Sequence, residues 1–170
     1  EIASCLVGSE MCIRDRNFLI ELFELWEIDL KQGKQPYIRQ FENYISILLG
    51  YMPEACEQRG ICSFQNVVEA DGSVYPCDFY VLDEYNLGNL NENSFEEIQK
   101  KRNAIQFVEN SCNHLSECKE CEYFFICRGG CRKHRDNMGK MDGKNRFCQS
   151  YRMFFDACLS RMVEISKRCR

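Results

Sequence analysis

Apolar positions recur with helical spacing near both ends of the chain. Between residues 17 and 32 they fall on one broad face, with acidic residues between them: Phe18, Leu19, Leu22, Phe23, Leu25 and Trp26. This spacing predicts a helix, and Gly33 supplies a stop signal. Residues 147–168 predict a long closing helix with a second apolar face, made of Tyr151, Phe154, Phe155, Cys158, Leu159 and Met162.

The stretch that follows the first helix predicts two shorter elements. Residues 37–41 alternate in the manner of a short strand, and residues 42–49 have the spacing of a short helix. Residues 17–50 present much apolar surface for their length. We therefore expect them to belong to a larger core whose other part lies outside this chain.

The middle of the chain predicts a hairpin. Residues 64–69 and 73–75 are prone to form strands, and Asp71-Gly72 between them is a strong turn signal. Ser94 and Glu97 have the spacing of a capping box that opens a helix. Residues 112–131 are read as cysteine-rich loop, and residues 132–146 as mostly loop. Helices together with one hairpin predict an α+β fold.

Composition narrows the class of protein. The 170 residues suffice for one domain, 45% of them are hydrophobic, and the net charge is −4. This acidic balance does not support nucleic-acid binding, and no apolar stretch approaches the roughly 18 residues of a membrane span. The second half of the chain carries basic residues beside its cysteines: Arg128, Arg132, Lys133 and Arg135. They could compensate the charge of an anionic metal centre, contact an acidic partner or form a solvated face.

The first sixteen residues differ in character from the rest. The string from Glu10 to Arg16 resembles the translation of a widely used transposase sequencing adapter. Residues 1–16 are therefore predicted to be a library artefact, and an ordinary disordered terminus is the alternative. If the segment is an artefact, Cys5 and Cys12 carry no function, and on either interpretation residues 1–16 are left out of the fold prediction.

Cysteine supplies the strongest chemical signal. Eight of the thirteen cysteines form one ordered array: Cys56, Cys62, Cys77, Cys118, Cys121, Cys127, Cys131 and Cys148. Disulfides, zinc and iron–sulfur clusters all use such arrays. The odd count and the lack of a recognisable signal peptide disfavour disulfides. Eight thiolates can ligate two four-iron clusters, and two zinc sites of four thiolates each are the alternative.

The array resembles the SPASM domain, the twin-cluster auxiliary domain of radical S-adenosylmethionine enzymes. The run from Val74 to Tyr80 and the following Gly88-Asn89 are most similar to anaerobic sulfatase-maturating enzymes. The resemblance covers residues 17–170. It implies that residues 17–50 end a partial (β/α) barrel and that residues 51–170 form the SPASM domain.

The resemblance also implies two ligand sets. Auxiliary cluster I takes Cys56, Cys62, Cys77 and Cys131, and auxiliary cluster II takes Cys118, Cys121, Cys127 and Cys148. Spacing alone would instead group Cys131 with Cys118, Cys121 and Cys127. Two-cluster ferredoxins interleave their ligands in a similar way.

Two further residues receive roles from the family and from the expected barrel. The resemblance implies that Asp78 is a general base that takes the proton of the substrate thiol or hydroxyl, which suits a partly buried carboxylate; a loop aspartate bonded to backbone is the alternative. Arg39 is expected near the end of the last barrel strand, facing the substrate peptide, although a surface arginine is equally compatible.

The remaining candidates are expected to be structural. We expect Tyr75, Phe79 and Tyr80 to pack, and His114 and His134 to be exposed, since eight cysteines already satisfy two clusters. Cys158 is predicted to lie in the core. Cys112 and Cys169 have no assigned role.

The family implies an activity for a longer protein. Its barrel carries a C-x3-C-x2-C motif for a third 4Fe-4S cluster that cleaves S-adenosylmethionine, and these 170 residues lack the motif. The implied reaction oxidises a peptidyl Cys or Ser of an unfolded sulfatase to formylglycine, with flavodoxin or ferredoxin as electron donor, in the cytoplasm of an anaerobic organism. Another peptide-modifying radical S-adenosylmethionine enzyme and a zinc-stapled binding module are the alternatives.

Overall fold

Three helices form the main core of the fold. The computed structural model describes residues 9–136 and 143–169, with side chains from residue 16 onward. Helix α1 spans Ser9–Lys31, α2 spans Arg39–Leu48 and α9 spans Cys148–Arg168. The closing helix is therefore confirmed. The backbone of residues 9–16 continues α1, while residues 1–8 lie outside the described part, and the artefact interpretation stays a prediction.

The strand predicted over residues 37–41 is wrong. Ile38 has extended backbone, and α2 begins directly after it at Arg39. Phe41, Tyr44 and Ile45 then face the core at helical spacing. Five residues of alternation cannot distinguish a strand from the first turn of an amphipathic helix, and here burial of the helical face decides.

Helices α1 and α2 pack on α9 in one aromatic core. The Phe23 ring lies 5.3 Å from Phe41 and 6.0 Å from Phe154 between centroids, both edge to face. All three side chains are at most 1% exposed. This part of the apolar side of residues 17–50 is thus covered within this chain, and for it the expectation that the core partners lie elsewhere is wrong. Phe18 and Leu25, which belong to the same predicted face, are each 62% exposed.

A small antiparallel sheet forms the second layer. Its strands are β1 (Val67–Val68), β2 (Ser73–Tyr75) and β3 (Gly88–Asn89), in the order β1-β2-β3. Val68 pairs with Val74, and Val74 pairs with Gly88. The predicted hairpin at Asp71-Gly72 is confirmed, and Gly72 has the positive φ of 89° that this turn requires.

A short helical segment supports this sheet. Ser94 and Glu97 form the predicted capping box at the start of α4 (Phe95–Ile105). Ile98 of α4 packs with Val74 and Leu87 in a second small core. Helices with a small antiparallel sheet confirm the α+β class.

Five single helical turns in the described part of the chain lie among the cysteines, and three of these turns contain one: Cys56, Cys118 and Cys127. The five turns are α3 (Cys56–Arg59), α5 (Phe107–Asn110), α6 (Ser116–Lys119), α7 (Phe124–Cys127) and α8 (Arg132–Arg135). The loop prediction is therefore wrong for Ser116–Lys119, Phe124–Cys127 and Arg132–Arg135. These turns escape hydrophobic periodicity because four residues are too few to show it.

Candidate metal centres

The eight cysteines of the array line two separate pockets. The first is a cavity of about 300 Å³ lined by Cys56, Cys62, Cys77 and Cys131. The second is lined by Cys118, Cys121, Cys127 and Cys148. The structure thus brings together the same two sets of four that the resemblance implies, and separates Cys131 from the neighbours that spacing alone would give it.

A reversal of the backbone separates Cys131 from Cys127. Helix α7 ends at Cys127, and the next three residues all have positive φ: Arg128 at 49°, Gly129 at 79° and Gly130 at 72°. Such left-handed backbone turns the chain sharply, and glycine adopts it without steric cost. Cys127 therefore faces the second pocket while Cys131 reaches the first.

The hairpin and one buried serine place the thiols of the first pocket. Cys77 follows β2, and Cys62 lies in the segment before β1, so the antiparallel pairing brings the two together. The backbone N–H of Cys62 donates to Ser111 Oγ at 2.8 Å. Ser111 is fully buried. The sequence analysis did not select this serine, because no local pattern marks a contact across 49 positions.

Burial favours the protonated form of the thiols in both pockets. Burial raises the pKa of Cys77 to about 12 and that of Cys127 to about 11, and it also raises the pKa of Cys62, Cys118, Cys131 and Cys148. Backbone N–H groups nevertheless point at sulfur, from Phe79 to Cys77 and from Gly129 to Cys127. Metal binding must therefore displace protons.

The donor set fits iron–sulfur clusters. Each pocket offers four thiols, which is the ligand number of a four-iron cluster. Across residues 16–136 and 143–169, no three His, Cys, Asp or Glu side chains converge tightly enough to hold a single metal ion.

Two buried arginines stand beside the first pocket. Arg132 lines it and donates to the Phe107 carbonyl at 2.6 Å, with its guanidinium 4.2 Å from the Phe107 ring centroid. Arg135 donates to the carbonyls of Ser111 at 2.6 Å and Asn113 at 3.0 Å. The sequence marked both as basic residues near cysteines, but not as buried.

A polar bridge joins the two pockets. Glu57, next to Cys56, accepts a 2.8 Å hydrogen bond from Tyr151, which lines the second pocket. His134 Nδ1 lies 3.7 Å from the same Glu57 oxygen. The sequence analysis missed this bridge, because it placed Tyr151 on an apolar face and expected His134 to be exposed.

The expected exposure of both histidines is wrong. The His134 side chain is only 19% exposed, and its ring packs edge to face on Phe147. His114 is half-buried and packs in the same manner on Phe124. Burial lowers the pKa of His114. Both rings serve packing here.

Asp78 and Arg39 share the rim of the first pocket. Asp78 is exposed, and its Oδ1 lies 3.5 Å from Cys77 Sγ. The partial burial that would favour a general base is therefore not provided by the described residues. Arg39 begins α2 instead of ending a strand, and its Nε donates to Glu54 at 2.7 Å.

The expected packing roles are met with one exception. Tyr75 and Tyr80 are buried, whereas Phe79 is 57% exposed, so the packing role predicted for Phe79 is wrong. Cys158 is fully buried in the aromatic core, as predicted. Cys112 and Cys169 are exposed.

Two comparisons define the class of protein. The family model SPASM, an iron–sulfur cluster-binding domain, matches residues 56–122. A solved structure described as native anSMEcpe with bound AdoMet superposes with a TM-score of 0.85 and 38% identity, over 94% of this chain and 44% of its own. A second, with bound AdoMet and Cp18Cys peptide, gives a TM-score of 0.86 and 37% identity, over 94% of this chain and 44% of its own.

Curated relatives point to one group of enzymes. A cysteine-type anaerobic sulfatase-maturating enzyme of Clostridium novyi (strain NT) is 42% identical over 88% of this chain and 40% of its own length. A serine-type enzyme of Bacteroides thetaiotaomicron is 32% identical over 91% of this chain and 39% of its own. The predicted resemblance is confirmed. The chain spans about two fifths of the length of these relatives.

No helix in the described ranges combines the length and apolar character needed to cross a membrane.

Proposed function

We propose that this chain is the auxiliary-cluster part of an anaerobic sulfatase-maturating enzyme, which oxidises a peptidyl Cys or Ser to formylglycine. The observation that carries the proposal is the division of eight cysteines between two pockets of four. The first pocket would hold auxiliary cluster I and the second auxiliary cluster II. When bound, these 4Fe-4S clusters supply one-electron acceptors.

The division of the chain follows the family. Residues 17–50 are the end of the partial barrel, residues 51–170 are the SPASM domain, and residues 1–16 are foreign to both. A third 4Fe-4S cluster and S-adenosylmethionine belong to the remainder of the protein. Because α1 and α2 pack on α9, the barrel end and the SPASM domain share one core, which would fix the two parts relative to each other.

Asp78 is the proposed general base. Once a hydrogen atom has left the side-chain methylene of the substrate residue, loss of one electron and of the hydroxyl or thiol proton gives the aldehyde from Ser or the thioaldehyde from Cys. Water then hydrolyses the thioaldehyde to formylglycine with release of hydrogen sulfide. A carboxylate on the pocket rim, beside Cys77, can accept the hydroxyl or thiol proton. Docking of the peptide and the barrel would supply the burial that Asp78 lacks here.

Arg39 and the partners complete the proposal. The Arg39 guanidinium, held by Glu54 on the same rim, is placed to contact an unfolded sulfatase peptide. The peptide in one of the similar solved structures supports a peptide substrate. A flavodoxin or ferredoxin would donate electrons, in the cytoplasm of an anaerobic organism.

Metal analysis after anaerobic reconstitution tests the proposal. We expect about eight irons per chain, as two four-iron clusters. Cys62→Ala and Cys118→Ala should each lose about half of the iron, because they open different pockets. Cys112→Ala, at an exposed cysteine outside both pockets, is the matched control. Zinc-loaded, iron-free protein from anaerobic expression would contradict the proposal and favour the zinc-stapled module.

A further inference from the structure

Buried positive charge is distributed unequally between the two cysteine pockets. Arg132 lines the first pocket and is 5% exposed, and Arg135 behind it is 3% exposed. The cations that line the second pocket are Lys144 and Arg152, whose side chains are 49% and 52% exposed. Both of these also face carboxylates.

The Arg132 guanidinium is fixed in place. Its Nη1 donates to the Phe107 carbonyl, and the rings of Tyr80 and Phe107 lie 5.1 and 4.2 Å from its central carbon. A guanidinium is not deprotonated in proteins, and aromatic faces stabilise the cation without neutralising it. Arg132 is therefore a fixed, buried cation at the pocket wall.

Arg135 connects that wall to a ligand loop. It donates to the Ser111 carbonyl, while the Ser111 hydroxyl accepts the N–H of Cys62. The carboxylates that line the first pocket, Glu54 and Asp78, are exposed, so that water screens them. Two half-buried carboxylates lie outside its lining: Glu57, between the two pockets, and Asp136, which accepts a hydrogen bond from Tyr80.

A positive charge beside the first pocket affects the electron affinity of a cluster bound there. One-electron reduction adds a negative charge to a thiolate-ligated cluster. A fixed cation in a low-dielectric interior stabilises the added charge more than an exposed, ion-paired cation does. Net charge near the cluster and solvent exposure are among the factors that set the potentials of iron–sulfur clusters.

We propose that Arg132, supported by Arg135, raises the reduction potential of the cluster in the first pocket above that of the cluster in the second. Both residues are positioning residues, since they act through the cluster and its loops. The inference rests on the proposed function. It makes the first cluster, which shares its pocket with Asp78, the preferred acceptor of an electron from the substrate.

An anaerobic redox titration monitored by electron paramagnetic resonance tests the inference on the reconstituted 170-residue chain. Arg132→Gln should lower one of the two midpoint potentials by at least about 59 mV. This shift corresponds to a tenfold change in the equilibrium constant for one-electron reduction. Arg132→Lys should retain most of the wild-type value, because it keeps the charge. Lys133→Gln removes an exposed cation of the same helical turn and should shift neither potential.

Assignment of the shifted signal completes the test. Cys118→Ser, which disrupts the second pocket, should leave only the signal that responds to Arg132. If Arg132→Gln fails to take up iron, Arg135→Gln is judged by the same criterion. Two clusters with unchanged potentials, or a shift confined to the second cluster, would overturn the inference alone. Wild-type chain without iron would overturn the proposed function as well.

Discussion

Tyr151 donates a 2.8 Å hydrogen bond to Glu57, and this bond connects the two cysteine pockets. Glu57 follows Cys56 of the first pocket, and Tyr151 lines the second. The nearby His134 ring, 3.7 Å away, and then the Tyr151 hydrogen bond hold the pKa of Glu57 below its ordinary value, against the opposing effect of burial. The carboxylate is therefore bound as an anion between the two sites.

Removal of the tyrosine hydroxyl should weaken this connection. Tyr151→Phe leaves the ring in place but deprives a half-buried carboxylate of a donor, at a cost of about 2 kcal/mol. That loss corresponds to a decrease of about 4–8 °C in Tm for a domain of this size. Thermal unfolding under anaerobic conditions measures it. Tyr51→Phe, at a 67% exposed ring, is the control, and equal Tm values for the two variants would contradict the role of the bridge.

Gly60 offers a test of the first pocket that leaves the second intact. It has φ of 70°, and an added Cβ would collide with the Arg128 carbonyl between the two pockets. Gly50 has φ of 86° but open space around the same position. In Gly60→Ala and Gly50→Ala alike, placing alanine in left-handed backbone costs about 1–2 kcal/mol. Only Gly60→Ala also introduces the steric collision.

We therefore expect Gly60→Ala to bind about half of the wild-type iron after reconstitution, because the loop from Cys56 to Cys62 cannot close. Gly50→Ala should bind the wild-type amount. The measurement is iron per chain. Full iron content in Gly60→Ala would show that the contact between this loop and Arg128 is dispensable.

Phe23 tests whether the first helix belongs to the fold. Phe23→Ala empties a fully buried site between α2 and α9 and should cost about 3–5 kcal/mol. Phe18→Ala, on the same helix but 62% exposed, should change stability by less than about 0.5 kcal/mol. Unfolding in denaturant compares them. Similar small effects would mean that α1 is not packed on α9.

Sequence predicted best where one local signal determined the structure. Asp71-Gly72 predicted its hairpin, and Ser94 with Glu97 predicted a helix start, because turn and cap preferences act within a few residues. Contacts between distant residues left no such signal. The packing of Phe23 on Phe154 and the Ser111 contact to Cys62 depend on how separate segments fold together.

The placement of Cys131 shows the same limit at the site. Its spacing from Cys127 favours a shared pocket, and only the three consecutive residues with positive φ direct it to the other one. Glycine permits such backbone at Gly129 and Gly130, but it does not require it. Arg128 gave no sign of adopting it. The family resemblance supplied the grouping that spacing could not.

Acid should weaken the contact between α1 and α9. The Arg161 guanidinium bonded to Glu27 holds the pKa of that carboxyl below its ordinary value of 4.5. The stabilisation is therefore fully present above 4.5, and it is lost as the pH falls through the lower pKa of the folded state. Because Arg161 is partly exposed, we expect the pair to contribute about 1 kcal/mol.

Glu27→Gln should accordingly lower Tm at neutral pH, and the gap to wild type should narrow as the pH falls below 4.5. Glu164→Gln removes an exposed pairing with Lys167 on the outer side of α9 and serves as the control. It should give no measurable difference in Tm at either pH. A gap between Glu27→Gln and wild type that is independent of pH would mean that packing, and not charge, is responsible.

Asp78 provides the sharpest test of the proposed chemistry. Asp78→Asn keeps the shape of the side chain but cannot accept a substrate proton, and loss of a general base costs about 100- to 10,000-fold in rate. In a full-length protein that includes the radical-generating domain, we expect the rate of formylglycine formation on a sulfatase peptide to fall about 100- to 10,000-fold. Cleavage of S-adenosylmethionine should continue uncoupled, since the proposal assigns it to a third cluster outside this chain. Asp83→Asn, at another exposed aspartate five residues on, should leave both activities unchanged.

Wild-type formylglycine yield in Asp78→Asn would mean that Asp78 is only a loop residue. Loss of iron would instead show that the carboxylate, 3.5 Å from Cys77 Sγ, serves to support the ligand.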